Sequence, residues 1–143
     1  MKNLWHEIYL KNAFSPAAWL REQARFLGEK TNHEVVAEVK RMRTPLDTFY
    51  YGFDLFVEVI SYRFRLFALS YEIDIFPIRI YPDERILKSV QTASIDAHGE
   101  KYFRLETQEQ YIACIEYILG CEATKNILTA IVSHIHSEVS EFA

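Results

Sequence analysis

The chain has 143 residues, the size of one ordinary domain with room for a real core. Half of the residues are hydrophobic and 15% are aromatic, which excludes a disordered chain. A net charge of −4 disfavours a general nucleic-acid binder, and no stretch reaches the ~20 apolar residues of a membrane span.

Leu4, Trp5, Ile8 and Tyr9 suggest a short amphipathic helix or an ordered arm. Ser15-Pro16 then reads as a helix start, with serine as N-cap and proline in the first turn. Ala17, Leu20, Ala24 and Leu27 recur at helical spacing, and Gly28 with the polar run after it should end that helix. Val35 to about Met42 reads as a strand with basic flanks.

The run from Phe49 to Tyr81 reads as an antiparallel meander. Phe49, Tyr51, Phe53, Leu55, Val57 and Val59 alternate with Tyr50, Gly52, Asp54, Phe56 and Glu58, so the first set forms one apolar face. A second strand starts at Tyr62. A tight turn at Ile60-Ser61 would set Val59 opposite Tyr62, Val57 opposite Phe64 and Leu55 opposite Leu66. It would also set Glu58 opposite Arg63 and Phe56 opposite Arg65. That turn lacks the glycine or asparagine that two-residue hairpins favour, so a longer loop with the same or a shifted register is the alternative. In the expected register Phe67, Leu69, Tyr71 and Ile73 fall on the face that Arg63 and Arg65 begin, as though both faces of the sheet were covered there. A third strand, Phe76 to Tyr81, is closed by Pro82, with Pro77 at a strand end or an edge.

Residues 84–100 carry the weakest pattern. One strand around Val90 to Ile95, a turn at His98-Gly99 and a return strand Lys101 to Leu105 are expected. Thr107-Gln108-Glu109-Gln110 resembles a capping box that opens a helix with Tyr111, Ile112, Ile115, Ile118 and Leu119 as its stripe. Gly120 is expected to stop it in the left-handed conformation. A last helix follows with Ile127, Leu128, Ile131, Val132 and Ile135 on one side, completing an αα-hairpin. Strands grouped in the middle and helices at the ends predict a single α+β domain over residues 1–143. Its twisted antiparallel sheet has about four to six strands, with the terminal helices packed mainly on one face.

No catalytic signature emerges. Phosphate-loop, dinucleotide and nucleophile-elbow patterns are absent, and four glycines leave little material for a phosphate cradle. His134 and His136 point about 200° apart on a helix, and no third ligand lies close by, so no metal is expected. Cys114 and Cys121 read as small buried residues, although Cys121 lies at the start of the last helix, where the dipole lowers a thiol pKa. Asp54 and Glu58 share a strand face but stand ~13 Å apart, too far for a paired acid/base site. Glu72, Asp74 and Asp83-Glu84 read as solvated charge at strand ends. Tyr50, Asp54, Arg63, Arg65 and Tyr71 are a set that adjacent strands bring together, and a place to look for a site. Lys40-Arg41-Met42-Arg43 reads as a solvated strand edge that discourages unwanted pairing, and as the one segment suited to nucleic acid. The start of the sequence lacks a basic-then-apolar leader, and two cysteines do not make a disulfide framework, so a reducing cytoplasm is the expected home.

Two functions follow. The first is a non-enzymatic protein-binding domain, with no cofactor, that uses an aromatic sheet surface to hold another protein or a second copy of itself; neither a membrane nor nucleic acid is expected as partner. Phe56, Arg65, Phe67, Leu69 and Tyr71 are its expected partner-binding residues, since interface centres are rich in aromatic and arginine side chains. The alternative is a small-molecule-binding or hydrolytic protein with a cleft between sheet and helices. In size, charge and class alone the chain resembles small acidic bacterial proteins that bind another protein, such as secretion chaperones and immunity proteins. That likeness implies binding without catalysis and transfers no residue.

Overall fold

Ser15 caps the first helix, α1 (Pro16–Lys30). Its hydroxyl accepts from the Ala18 amide at 3.2 Å, and Pro16 sits where a missing N–H costs nothing. The helix runs through Gly28 to Lys30 and stops within the expected polar run, where Thr31 ends it by returning both its amide and its hydroxyl to the Leu27 carbonyl. The computed structural model describes residues 1–6, 13–44, 47–90 and 93–141. Residues 1–6 form no regular element, and Leu4 and Trp5 are exposed. Ile8 and Tyr9, the rest of the expected amphipathic arm, lie outside the described residues.

Strands β1 (Val36–Met42), β2 (Thr48–Val57), β3 (Tyr62–Glu72) and β4 (Ile78–Pro82) come next, then a one-turn helix α2 (Glu84–Leu87), β5 (Ser94–Ile95) and β6 (Lys101–Leu105). Among the described residues they form one six-stranded sheet in the order β1-β2-β3-β4-β6-β5, each neighbouring pair antiparallel. The expected strand around Val90 to Ile95 forms in part, as β5. Asp83 caps α2 by accepting from the Arg85 amide, and only Ser94–Ile95 is extended; residues 91–92 lie outside the described residues. The turn at His98-Gly99 is present, with Gly99 at φ 81° and the His98 amide on the Asp96 carboxylate. β1 is an edge strand, with Lys40 and Arg41 exposed along it.

The β2–β3 hairpin departs from the expected register twice. Its turn spans Glu58 to Ser61, closed by the Ser61 amide on the Glu58 carbonyl, with Ser61 at φ 49°. Val57 therefore faces Tyr62, Phe56 faces Arg63 and Asp54 faces Arg65. The expected Glu58–Arg63 pair does not form, because Glu58 is in the turn and Arg63 bonds Glu38 and Asp54. The second departure is a register shift between Phe53 and Asp54, where Leu66 is an extra residue in β3. That residue reverses which face the rest of the strand presents. Phe67, Leu69 and Tyr71 pair with Phe53, Tyr51 and Phe49 and join their face, while Arg63 and Arg65 stay on the other. The apparent two-faced strand is thus one apolar face interrupted by a bulge.

Thr107 opens α3 (Gln108–Gly120) by accepting from the Gln110 amide, and the Gln110 side chain returns to the Glu106 amide at 2.7 Å. Gly120 is helical and not left-handed; the chain breaks at Cys121, whose backbone is extended. α4 (Glu122–Glu141) follows. The core joins Leu20 and Ala24 of α1, Ile86 of α2, Tyr111, Ile115 and Ile118 of α3, and Ile127, Ile131 and Ile135 of α4. They pack on the face carried by Phe53, Leu55, Phe67, Leu69, Ile78 and Ile80. Tyr111 is fully buried, and its hydroxyl donates to the Pro16 carbonyl at 2.9 Å, tying α3 to α1. No helix among the described residues is long and apolar enough to cross a membrane.

Candidate functional site: the open face of the sheet

All four helices of the described residues contribute to the core on one side, so the other side of β1 to β6 carries what the period of two sends there. Cross-strand partners share a face. Glu38 and Lys40 on β1, Tyr50, Gly52, Asp54 and Phe56 on β2, Arg63, Arg65, Ala68 and Ser70 on β3, Arg79 and Tyr81 on β4, and Arg104 on β6 line this surface.

Asp54 is its centre. The residue is 1% exposed and its carboxylate accepts from Arg65 twice, from Nε at 2.8 Å and from a terminal nitrogen at 3.2 Å. Arg63 adds a bond at 3.4 Å and reaches Glu38 at 2.8 Å. A buried carboxylate needs such partners, and the two-point guanidinium geometry holds Arg65 in one pose. Gly52 completes the arrangement: a Cβ there would stand 2.7 Å from Arg65 Nε, so only glycine lets the guanidinium lie on the strand. Hydrogen bonding to Asp54 holds Arg65 above its ordinary pKa. The two arginine side chains remain 41% and 44% exposed, and the Arg63 guanidinium stacks over the Phe56 ring at 4.8 Å.

The surface continues across β4 and β6. Tyr81 packs on Tyr102 with ring centroids 5.4 Å apart, and the Arg79 guanidinium lies 5.3 Å from the Tyr102 centroid. Arg104 is held by Glu106. Burial raises the Tyr50 hydroxyl above its ordinary pKa against the pull of the Arg65 cation, with a further push from Glu100. Burial also raises Tyr81, opposed by Arg79 and assisted by Asp96. The hairpin from β5 to β6 thus brings carboxylates towards the tyrosines at this side of the face.

The expected site residues are divided between the two faces. Phe56 and Arg65 are on the open surface, half-buried and exposed respectively. Phe67, Leu69 and Tyr71 are buried in the core beneath the helices, Phe67 stacked on Phe53 and Tyr71 on Phe49 and Tyr51. Of the set sought for chemistry, Tyr50, Asp54, Arg63 and Arg65 come together, and Tyr71 does not. Tyr81, Arg79 and Tyr102 belong to the surface but carried no signal in sequence, because their grouping depends on β4 pairing with β6 across an intervening helix and strand.

The remaining candidates are scattered. α4 continues through His134 and His136, whose side chains diverge, His136 towards Glu34 at 3.9 Å. Among the described residues no group of three His, Cys, Asp or Glu side chains is placed to hold a metal ion. Cys114 is largely buried, which pushes its thiol up to about 12. The Cys121 thiol donates to the Ile118 carbonyl at 3.4 Å. A groove of about 1120 Å³ runs between α4, α2 and the β2–β3 turn, at the margin of sheet and helices.

Comparisons with protein-family models, with curated proteins and with solved structures each return no match.

Proposed function

We propose that this protein is a non-enzymatic binding module, of the adaptor, chaperone or immunity type, whose open sheet face docks another protein. The observation that supports the reading is the Asp54 anchor. It spends a buried carboxylate on fixing two half-exposed arginines, one of them stacked on Phe56, on a face that no described helix covers. Arginine and aromatic side chains held in one rotamer lose little entropy on docking, which is what an interface centre requires. Phe67, Leu69 and Tyr71 then act as the packed layer beneath that surface and not as contacts. The partner carries acidic or hydrogen-bond-accepting groups that meet the free edges of Arg63 and Arg65. We further infer a cytoplasmic setting from the two unpaired cysteines.

The test is capture of partners by the tagged protein from its native host, with intact-mass measurement of the assembly. Arg65→Glu and Phe56→Ala variants should lose the partner while keeping the fold by circular dichroism. Mass of the assembly separates a different protein from a second copy. Retention of the same partner by both variants, or turnover of a compound by the purified chain, ends the proposal.

A further inference from the structure

The groove beside α4 has a different character from the sheet face. Its floor is apolar: Val59 and Ile60 from the β2–β3 turn, Tyr62 and Phe64 from β3, and Ile127 and Ile131 from α4. Val59 is 70% exposed and Tyr62 41%, so apolar side chains at its mouth are left to water. Ala130 and Ala123 line the α4 wall, and their small size keeps the groove open. From Ala123 to Glu138 that wall is ~22 Å long at the rise of an α-helix.

Its charge is distributed along the length. Arg85 and Lys88, three residues apart in and after α2, are both lining residues. The Arg85 guanidinium lies 5.7 Å from the Phe64 ring centroid, braced by Asp83. Among the described residues no carboxylate pairs with Lys88. Ser89 bonds Tyr117 near the end of α3, which places α2 beside the start of α4. His136 near Glu34 places the far end of α4 beside the start of β1, and Glu138 lines the groove at that far end. One end is therefore cationic, the middle apolar and the other end acidic.

We propose that this groove binds a long-chain amphiphile with an anionic head, a free fatty-acid-type carboxylate. The head pairs with Lys88 and Arg85, and the chain runs along Phe64, Ile127 and Ile131 towards the turn at Val59. Glu138 sets the direction by repelling the head from the far end. The volume, about 1120 Å³, lies just above the range of about 300–1,000 Å³ that small-ligand pockets take, as a partly open groove for one flexible chain requires. Cations gathered at one end of an apolar trough match a single terminal anion. An amphipathic helix would instead call for polar partners along both rims.

The test is displacement of a fluorescent fatty-acid probe by hexadecanoate, dodecanoate and methyl hexadecanoate, all kept below micelle formation. Hexadecanoate should compete best, with affinity rising several-fold per pair of methylenes. The methyl ester should bind at least tenfold more weakly, because it lacks the charge. Lys88→Glu should weaken hexadecanoate about tenfold or more and leave the ester unchanged. Ala130→Trp should block both, and since Ala130 and Lys88 are exposed, both variants keep the fold. Equal binding of acid and ester, indifference to both substitutions, or binding of anionic vesicles without binding of monomeric hexadecanoate would overturn the proposal.

Discussion

Arg65 lies flat across Gly52 of the neighbouring strand, its Nε only 2.7 Å from where a Cβ would stand, and grips Asp54 two residues further along that strand. The missing side chain at one position and the buried charge at the other are a single device. Neither makes sense without the arginine between them.

Removing one partner of that device exposes the other. Arg65→Ala should cost about 1–3 kcal/mol in urea unfolding, less than a fully enclosed ion pair would, because Arg63 still reaches Asp54 and solvent enters the vacated side. An Asp54→Asn, Arg65→Met double variant should recover most of the loss, since no lone charge then remains under the surface.

Gly52→Ala should behave differently in two backgrounds. In the natural chain the new methyl group displaces the guanidinium and loosens its bonds to Asp54, lowering stability towards that of Arg65→Ala. With Arg65 already changed to alanine, the same substitution should be neutral or stabilising by roughly 0.5–1 kcal/mol, because glycine within a strand is entropically costly. Equal effects in both backgrounds would show that the two residues are not coupled.

The bulge at Leu66 separates two phenylalanines that look alike in sequence. Phe67→Ala should cost about 3–5 kcal/mol, as for a buried aromatic ring, and Phe56→Ala no more than ~1.5 kcal/mol. Deletion of Leu66 should remove the bulge and leave Phe67, Leu69 and Tyr71 on the core face, because Phe67 then follows Arg65 in plain alternation; the variant should fold, weakened by the loss of one buried leucine. A deletion variant that exposes those three side chains and binds a hydrophobic dye would refute the bulge.

Alkaline pH should destabilise the fold in a defined order. Burial lifts the Cys114 thiol from 9.0 to about 12, so above its ordinary value the unfolded chain loses a proton that the native state keeps. This contribution is fully present below pH 9 and declines as pH rises towards 12. Tyr71 and Tyr111, whose hydroxyls are also raised by burial, extend the decline above their ordinary value of 10.0. Melting temperature measured from pH 8 upwards should fall monotonically. Cys114→Ala should flatten the first part of the curve. In the native protein Cys114 should react slowly with iodoacetamide until denaturant is added.

Much of the architecture could be read from local chemistry. Ser15-Pro16 and Thr107 with Gln110 announce helix starts because capping is decided within a few residues. The alternation from Phe49 to Val57 marks one face for the same reason. What escaped depends on distant partners. Nothing at Leu66 marks it as supernumerary; its pairing is set by Phe53 and Asp54 across the hairpin. Gly120 invites a left-handed stop, but the packing of α4 on α3 is satisfied by an extended Cys121 instead. In the site, Tyr50, Asp54, Arg63 and Arg65 are neighbours on one hairpin and were recognisable as a group. Tyr81 and Tyr102 meet only after β6 inserts beside β4, and the groove draws on a turn, a one-turn helix and the last helix.

The bond from Tyr111 to Pro16 spans 95 residues. During synthesis the opening helix therefore leaves the ribosome long before the ring that seals it exists. Until Tyr111 arrives, Ala17 and Leu20 lack their lid, and a nascent product stopped short of it presents an oily stripe to chaperones and proteases. Emergence of Tyr111 and closure over α1 are, in this protein, nearly the same event.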